Sequence, residues 1–138
     1  MKIIDKINQL ENKNIYYSFE YFPPKTKTGQ QNLYIKLDQM SGLEPLFIDV
    51  TWGAGGSTSD LTLDICKNTQ NFLCLETQMH LTCTNINEEL VKNALDDAKK
   101  NNIRNILALR GDPPEGAEWE ASDEKFRYAV DLVKYIRK

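Results

Sequence analysis

Four apolar residues in succession, Ile106-Leu107-Ala108-Leu109, run straight into Arg110-Gly111-Asp112 and end on Pro113-Pro114. A short continuous apolar run reads as a strand buried on both faces, the pattern of a parallel sheet. The prolines cannot donate to a ladder, so the strand stops there. A core strand thus delivers a cation, a flexible backbone point and a carboxylate to one rim of a sheet. In α/β proteins that rim, at the carboxyl ends of the strands, is where active sites are built. A solvated loop with an ion pair would look the same in this stretch alone, so the other segments decide.

Taken in order, Ile3, Ile4, Ile7 and Leu10 mark one face of a short amphipathic helix. Tyr16 to Phe22 is rich in β-formers and reads as a first strand, closed by Pro23-Pro24. A helix over 29–41 carries Leu33, Leu37 and Met40 inward and stops at Gly42. Leu46 to Val50 is a second strand, and a helix follows from Ser57 or Ser59 with Leu61, Ile65 and Cys66 inward. Met79 to Cys83 reads as a third strand. Asn87 then caps a helix whose buried face is Leu90, Val91, Ala94, Leu95 and Ala98. After the fourth strand, a helix from about Ser122 turns Phe126, Val130 and Val133 inward.

Strand-helix units repeating every roughly 30 residues imply a parallel sheet covered by helices. An open doubly wound sheet and a (β/α) barrel both fit. A barrel takes about 250 residues, so a chain of 138 would hold half of one. The helical pattern is still running at Lys138, and a truncated chain is expected.

A net charge of -3 with no basic run argues against nucleic acid as a partner. No apolar stretch is long enough for a membrane span, and Met1 to Lys6 lacks the apolar core of a signal peptide. Three cysteines, Cys66, Cys74 and Cys83, fit reduced thiols in a cytoplasmic protein better than a disulfide framework. Their spacing with His80 matches no metal-site pattern, and no metal is expected. The Arg-Gly-Asp triplet continues a core strand, which argues against an adhesion ligand.

Each strand ends in polar groups: Glu20 in the first, Asp49 and Thr51 in the second, His80 and Thr82 in the third, Arg110 and Asp112 in the fourth. Parallel strands present such groups at one rim, so a shared site is expected. Glu20 lies between Phe19 and Tyr21; burial there would raise its pKa and suit it to general-acid work. A pairing with Lys25 is the plainer alternative. The loop from Gly53 to Gly56 offers backbone N–H groups ahead of a helix, a weak anion cradle that lacks the lysine of a P-loop.

Four segments, Ser18-Phe19-Glu20-Tyr21-Phe22-Pro23-Pro24-Lys25, Val50-Thr51-Trp52-Gly53-Ala54-Gly55-Gly56, Met79-His80-Leu81-Thr82-Cys83-Thr84 and Ile106 to Pro114, strongly resemble methylenetetrahydrofolate reductase, in wording close to its eukaryotic branch. The resemblance implies an α/β fold of the (β/α)8 TIM barrel family, with only the first four βα units in residues 1–138. It implies FAD as cofactor, NAD(P)H as hydride donor and reduction of 5,10-methylenetetrahydrofolate to 5-methyltetrahydrofolate. Glu20 then matches the general acid that protonates folate N10, and Asp112 the carboxylate that tunes the flavin and contacts the pterin. Thr51, His80, Leu109, Arg110, Gly111 and Asp112 match flavin contacts. NADPH is the donor expected from the eukaryotic wording. The family's later units and its S-adenosylmethionine-binding regulatory domain have no counterpart in these residues. Half a barrel leaves two strand edges open, so a non-catalytic half-barrel that binds a partner or self-associates as a homo-oligomer is the competing expectation.

Overall fold

The structure, a computed structural model, describes residues 1–10, 15–53, 58–83, 86–112 and 124–138. Strands β1 (Ser18–Tyr21), β2 (Phe47–Val50), β3 (Thr77–Thr82) and β4 (Asn105–Leu109) pair in parallel in the order β1-β2-β3-β4. Helix α1 (Ile3–Gln9) precedes them, and α2 (Lys27–Ser41), α3 (Ser59–Asn71), α4 (Glu88–Lys100) and α5 (Ala129–Ile136) each follow one strand. Right-handed crossovers between strands adjacent in both chain and sheet put every connecting helix on the same face. A doubly wound sheet needs a reversal of strand order, and none occurs here. The winding is that of a (β/α) barrel, carried through four units.

Register then sorts the side chains. Glu20 is level with Asp49, and Asp49 with Gln78; Tyr21 is level with Val50, and Val50 with Met79. Because side chains alternate along a strand, Ile48, Val50, Met79 and Leu81 share one face. All four are fully buried, in one cluster with Leu37 of α2, Ile65 and Cys66 of α3, Val91, Ala94 and Ala98 of α4 and Leu132 of α5. The opposite face carries Glu20, Asp49, Gln78 and His80. Capping fits the sequence: Thr26 Oγ1 accepts from Gly29 N at 3.0 Å and Asn87 Oδ1 from Leu90 N at 2.8 Å. A Cβ on Gly29 would come within 2.8 Å of Pro24 Cβ, so this cap needs glycine.

Several expectations are corrected. β4 is an edge strand and is not buried on both faces: Leu107 is 37% exposed, while Ile106, Ala108 and Leu109 are only partly covered. A cavity of about 400 Å³ lined by Ile106, Leu107, Ala108, Val133 and Ile136 runs beside it. The strand with that burial is β3, flanked on both sides, and it begins at Thr77 rather than Met79. β1 is shorter than Tyr16 to Phe22, and Ile4 of α1 points outward. The expected helix start at Ser122 lies outside the described residues. A 3₁₀ turn at Glu124–Phe126 precedes α5, which begins at Ala129. Asp131 Oδ2 accepts from Tyr128 N at 2.9 Å and fixes that start. The later start sets a different inward stripe: Phe126 and Leu132 are buried, whereas Val130 and Val133 are exposed.

At the amino ends of the strands, polar groups are buried and bonded. Glu76 accepts from the Met1 ammonium at 2.6 Å and from Asn105 Nδ2 at 3.0 Å, and Asn105 Oδ1 accepts from Ile3 N at 2.8 Å. The fully buried Thr69 and Thr77 hydroxyls lie 2.9 Å apart, with Ile65 O 2.9 Å from Thr69 and Leu75 O 3.1 Å from Thr77.

Candidate functional site

The polar row is built by alternation along three strands. Gln78, His80 and Thr82 project from β3 on the face opposite Met79 and Leu81, level with Asn105, Leu107 and Leu109 of β4. Asp49 Oδ1 receives Gln78 Nε2 at 2.8 Å and His80 Nε2 at 3.2 Å. His80 Nδ1 faces Glu20 Oε1 at 4.0 Å. Three expected strand-end residues, Glu20, Asp49 and His80, are therefore one cluster spanning β1 to β3. The expected burial of Glu20 is not met: its side chain is 50% exposed, against 9% for His80 and 13% for Asp49. β1 is the other edge strand, so among the described residues no strand flanks Glu20 on its outer side.

Toward the carboxyl ends, Thr51 follows β2. A hydroxyl chain holds its carbonyl: Gly53 N donates to Thr58 Oγ1 at 2.8 Å, Thr58 and Thr62 hydroxyls lie 3.2 Å apart, and Thr62 donates to Thr51 O at 2.9 Å. The end of β2 is thereby pinned to the first turn of α3. The rest of the glycine loop, from Ala54 to Ser57, lies outside the described residues. Beyond β4, Arg110 O accepts a weak bond from Cys83 Sγ at 3.7 Å, and the Arg110 and Asp112 side chains are exposed. Gly111 has φ 86, a left-handed conformation that favours glycine and lets the backbone approach a ligand closely.

Thr82 Oγ1 is buried and has no hydrogen-bond partner among the described residues. A buried hydroxyl left alone costs about 1–3 kcal/mol, and this one sits on the polar face between His80 and the strand end. A ligand offering polar atoms there would satisfy it. Thr82, Thr51 and His80, with apolar Leu109 beside them, suit a large group with a polar edge and an apolar body, as a flavin has. Trp52 Nε1 and Tyr21 Oη, also buried and unpartnered among the described residues, lie on the helix-covered face, and burial pushes the Tyr21 hydroxyl above its ordinary pKa.

Sequence reading missed Gln78, Thr58 and Thr62. The polar-apolar alternation of Gln78-Met79-His80-Leu81-Thr82 is the signal that would have found Gln78. The threonines carry none, because their role depends on the path of a loop.

The family model described as Methylenetetrahydrofolate reductase matches residues 6–138. The chain is 50% identical over 139 residues to "Methylenetetrahydrofolate reductase (NADH) 1" of Arabidopsis thaliana, covering 99% of this chain and 24% of that protein. It is 48% identical to "Methylenetetrahydrofolate reductase 2" of Schizosaccharomyces pombe, covering 99% and 22%. It is 38% identical over 123 residues to "5,10-methylenetetrahydrofolate reductase" of Escherichia coli, covering 89% and 40%. The chain thus spans about a quarter of the length of these eukaryotic relatives and less than half of the bacterial one.

Proposed function

Because the chain belongs to the methylenetetrahydrofolate reductase family, we propose that its residues form part of an enzyme that reduces 5,10-methylenetetrahydrofolate to 5-methyltetrahydrofolate at the expense of a reduced nicotinamide. The observation that carries this reading is the cluster of Glu20, Asp49 and His80 on the sheet face opposite the core, with Glu20 open to a ligand. FAD, when bound, supplies the hydride carrier. Thr51, His80, Leu109, Arg110 and Gly111 would hold it, with Asp112 at its rim, and Thr82 joins them as a buried hydroxyl with no partner among the described residues.

In this reading Glu20 gives its proton to folate N10. The N10–methylene bond breaks, its electrons stay on N10, and the five-membered ring opens to a 5-iminium ion that can accept hydride. A positioned proton donor contributes about 10²–10⁴-fold. Asp112, exposed beyond β4, is free to meet the pterin. One site meeting two substrates in turn gives ping-pong kinetics. The names of the Arabidopsis and maize relatives carry NADH, which favours NADH over the NADPH expected from the motif wording.

Among the described residues no helix is long and apolar enough to cross a membrane. Cys66, Cys74 and Cys83 are free thiols, which a cytoplasmic setting would keep reduced. Self-association through the open edges is the second reading, supported by the apolar flank of β4.

The test is to purify the full-length protein that carries these residues, record its visible spectrum, and follow NADH and NADPH oxidation with 5,10-methylenetetrahydrofolate. A flavin spectrum, NADH oxidation and formation of 5-methyltetrahydrofolate are expected. A colourless protein with neither activity overturns the reading.

A further inference from the structure

His80 is the sole histidine of the chain, and its ring lies between Asp49 and Glu20 in the polar row. Nε2 lies 3.2 Å from Asp49 Oδ1, the same oxygen that accepts from Gln78 Nε2 at 2.8 Å. An ionised carboxylate only accepts hydrogen bonds, so the ring must donate from Nε2. Nδ1 has no hydrogen-bond partner among the described residues: Glu20 Oε1, at 4.0 Å, is beyond bonding distance. The ring's side chain is 9% exposed, so Glu20 is the group placed to meet Nδ1. A neutral ring bonded this way is the Nε2–H tautomer, with the Nδ1 lone pair directed at Glu20.

We propose that Asp49 is a positioning residue for the Glu20 proton. By fixing His80 as the Nε2–H tautomer, it makes Nδ1 an acceptor for the neutral carboxylic acid of Glu20. A side-chain rotation of Glu20 closes the 4.0 Å gap. The opposite state, an imidazolium between two carboxylates, would hold Glu20 ionised and unable to donate. The groups facing the ring are Glu20 from β1, Asp49 from β2, Gln78 and Thr82 from β3 and the uncharged Leu107 from β4. Arg110 and Asp112 follow the end of β4, and the helices pack on the other face. Gln78, bonded to the same Asp49 oxygen, steadies the carboxylate. This inference rests on the reading of Glu20 as the proton donor to the folate.

The experiment uses the full-length protein labelled with ¹⁵N-histidine, with the His80 ring assigned by its loss in His80→Gln. Long-range ¹H–¹⁵N spectra at pH 7 are expected to show the neutral Nε2–H tautomer in the wild type. In Asp49→Asn the uncharged amide is a weaker acceptor, so a larger share of the Nδ1–H tautomer is expected. In rapid mixing, Asp49→Asn should slow the folate half-reaction by about 100-fold and the NADH half-reaction far less. The high-pH limb of the folate half-reaction, which marks loss of the Glu20 proton, should move to lower pH. Asp49→Glu, which keeps an acceptor, should recover part of the rate. An imidazolium or an Nδ1–H tautomer in the wild type overturns the proposal, as does an Asp49→Asn variant that slows both half-reactions equally or leaves the pH limb in place. A wild type that never reduces the folate defeats the functional reading, while the tautomer result stands apart from it.

Discussion

The two ends of the same four strands treat polar groups in opposite ways. At the amino ends, Glu76, Asn105, Thr69 and Thr77 are buried and each is bonded, to one another, to main chain or to the Met1 ammonium. Toward the carboxyl ends, Glu20 is half exposed, Nδ1 of His80 has no bond and the Thr82 hydroxyl is buried without a partner among the described residues. Buried polar groups are normally satisfied, because each exception costs stability. One end is therefore complete as protein, and the other is arranged for something the protein does not itself supply. Barrels divide labour this way, with stability at the amino face and chemistry at the carboxyl face.

Substitutions can break this contrast. Asn105→Ala should have the largest effect on stability. It strips a partner from Glu76 and from Ile3 N, and should lower unfolding stability by about 2–3 kcal/mol, read as a shift in the urea midpoint. The same change made at both ends is sharper. Thr69→Val, at the satisfied end, should cost about 1 kcal/mol. Thr82→Val should cost nothing or add up to about 1 kcal/mol, while weakening flavin retention in the full-length protein. Equal losses from the two valines would dissolve the contrast.

The thiols give the smallest effect. Burial pushes Cys66 and Cys83 above the ordinary thiol value, with Asp131 adding to the rise at Cys83, whereas Cys74 is exposed. An alkylating reagent should label Cys74 first and leave the other two until the chain unfolds. Above the ordinary value of 9.0, the unfolded chain releases thiol protons that the folded chain keeps, so stability should fall as pH rises through that range.

Much of the fold was legible because it rests on patterns that survive in one dimension. The face of α4, the Asn87 cap and the sequence of alternating strands and helices follow from periodicity and capping chemistry. What failed depends on neighbours. Ile106 to Leu109 looks like a central strand, but an edge position leaves Leu107 exposed, and no residue in the run encodes its place in the sheet. Val130 and Val133 were misplaced because the helix begins at Ala129, and the start depends on the Asp131 bond to the Tyr128 backbone. At the site, the strand-end residues named Glu20, Asp49 and His80, yet that Asp49 bonds His80 and Gln78 together is a matter of register. The burial imagined for Glu20 came from its apolar sequence neighbours, which point to the other face.

The most direct test mixes the NADH-reduced full-length protein with 5,10-methylenetetrahydrofolate anaerobically and follows the flavin absorbance, comparing the wild type with Glu20→Gln. If Glu20 is the proton donor, the variant is reduced by NADH at the wild-type rate but is reoxidised by the folate at least about 100-fold more slowly. Reoxidation at the wild-type rate, or an equal loss in both half-reactions, would contradict the assignment of the polar row as the place where the folate is activated.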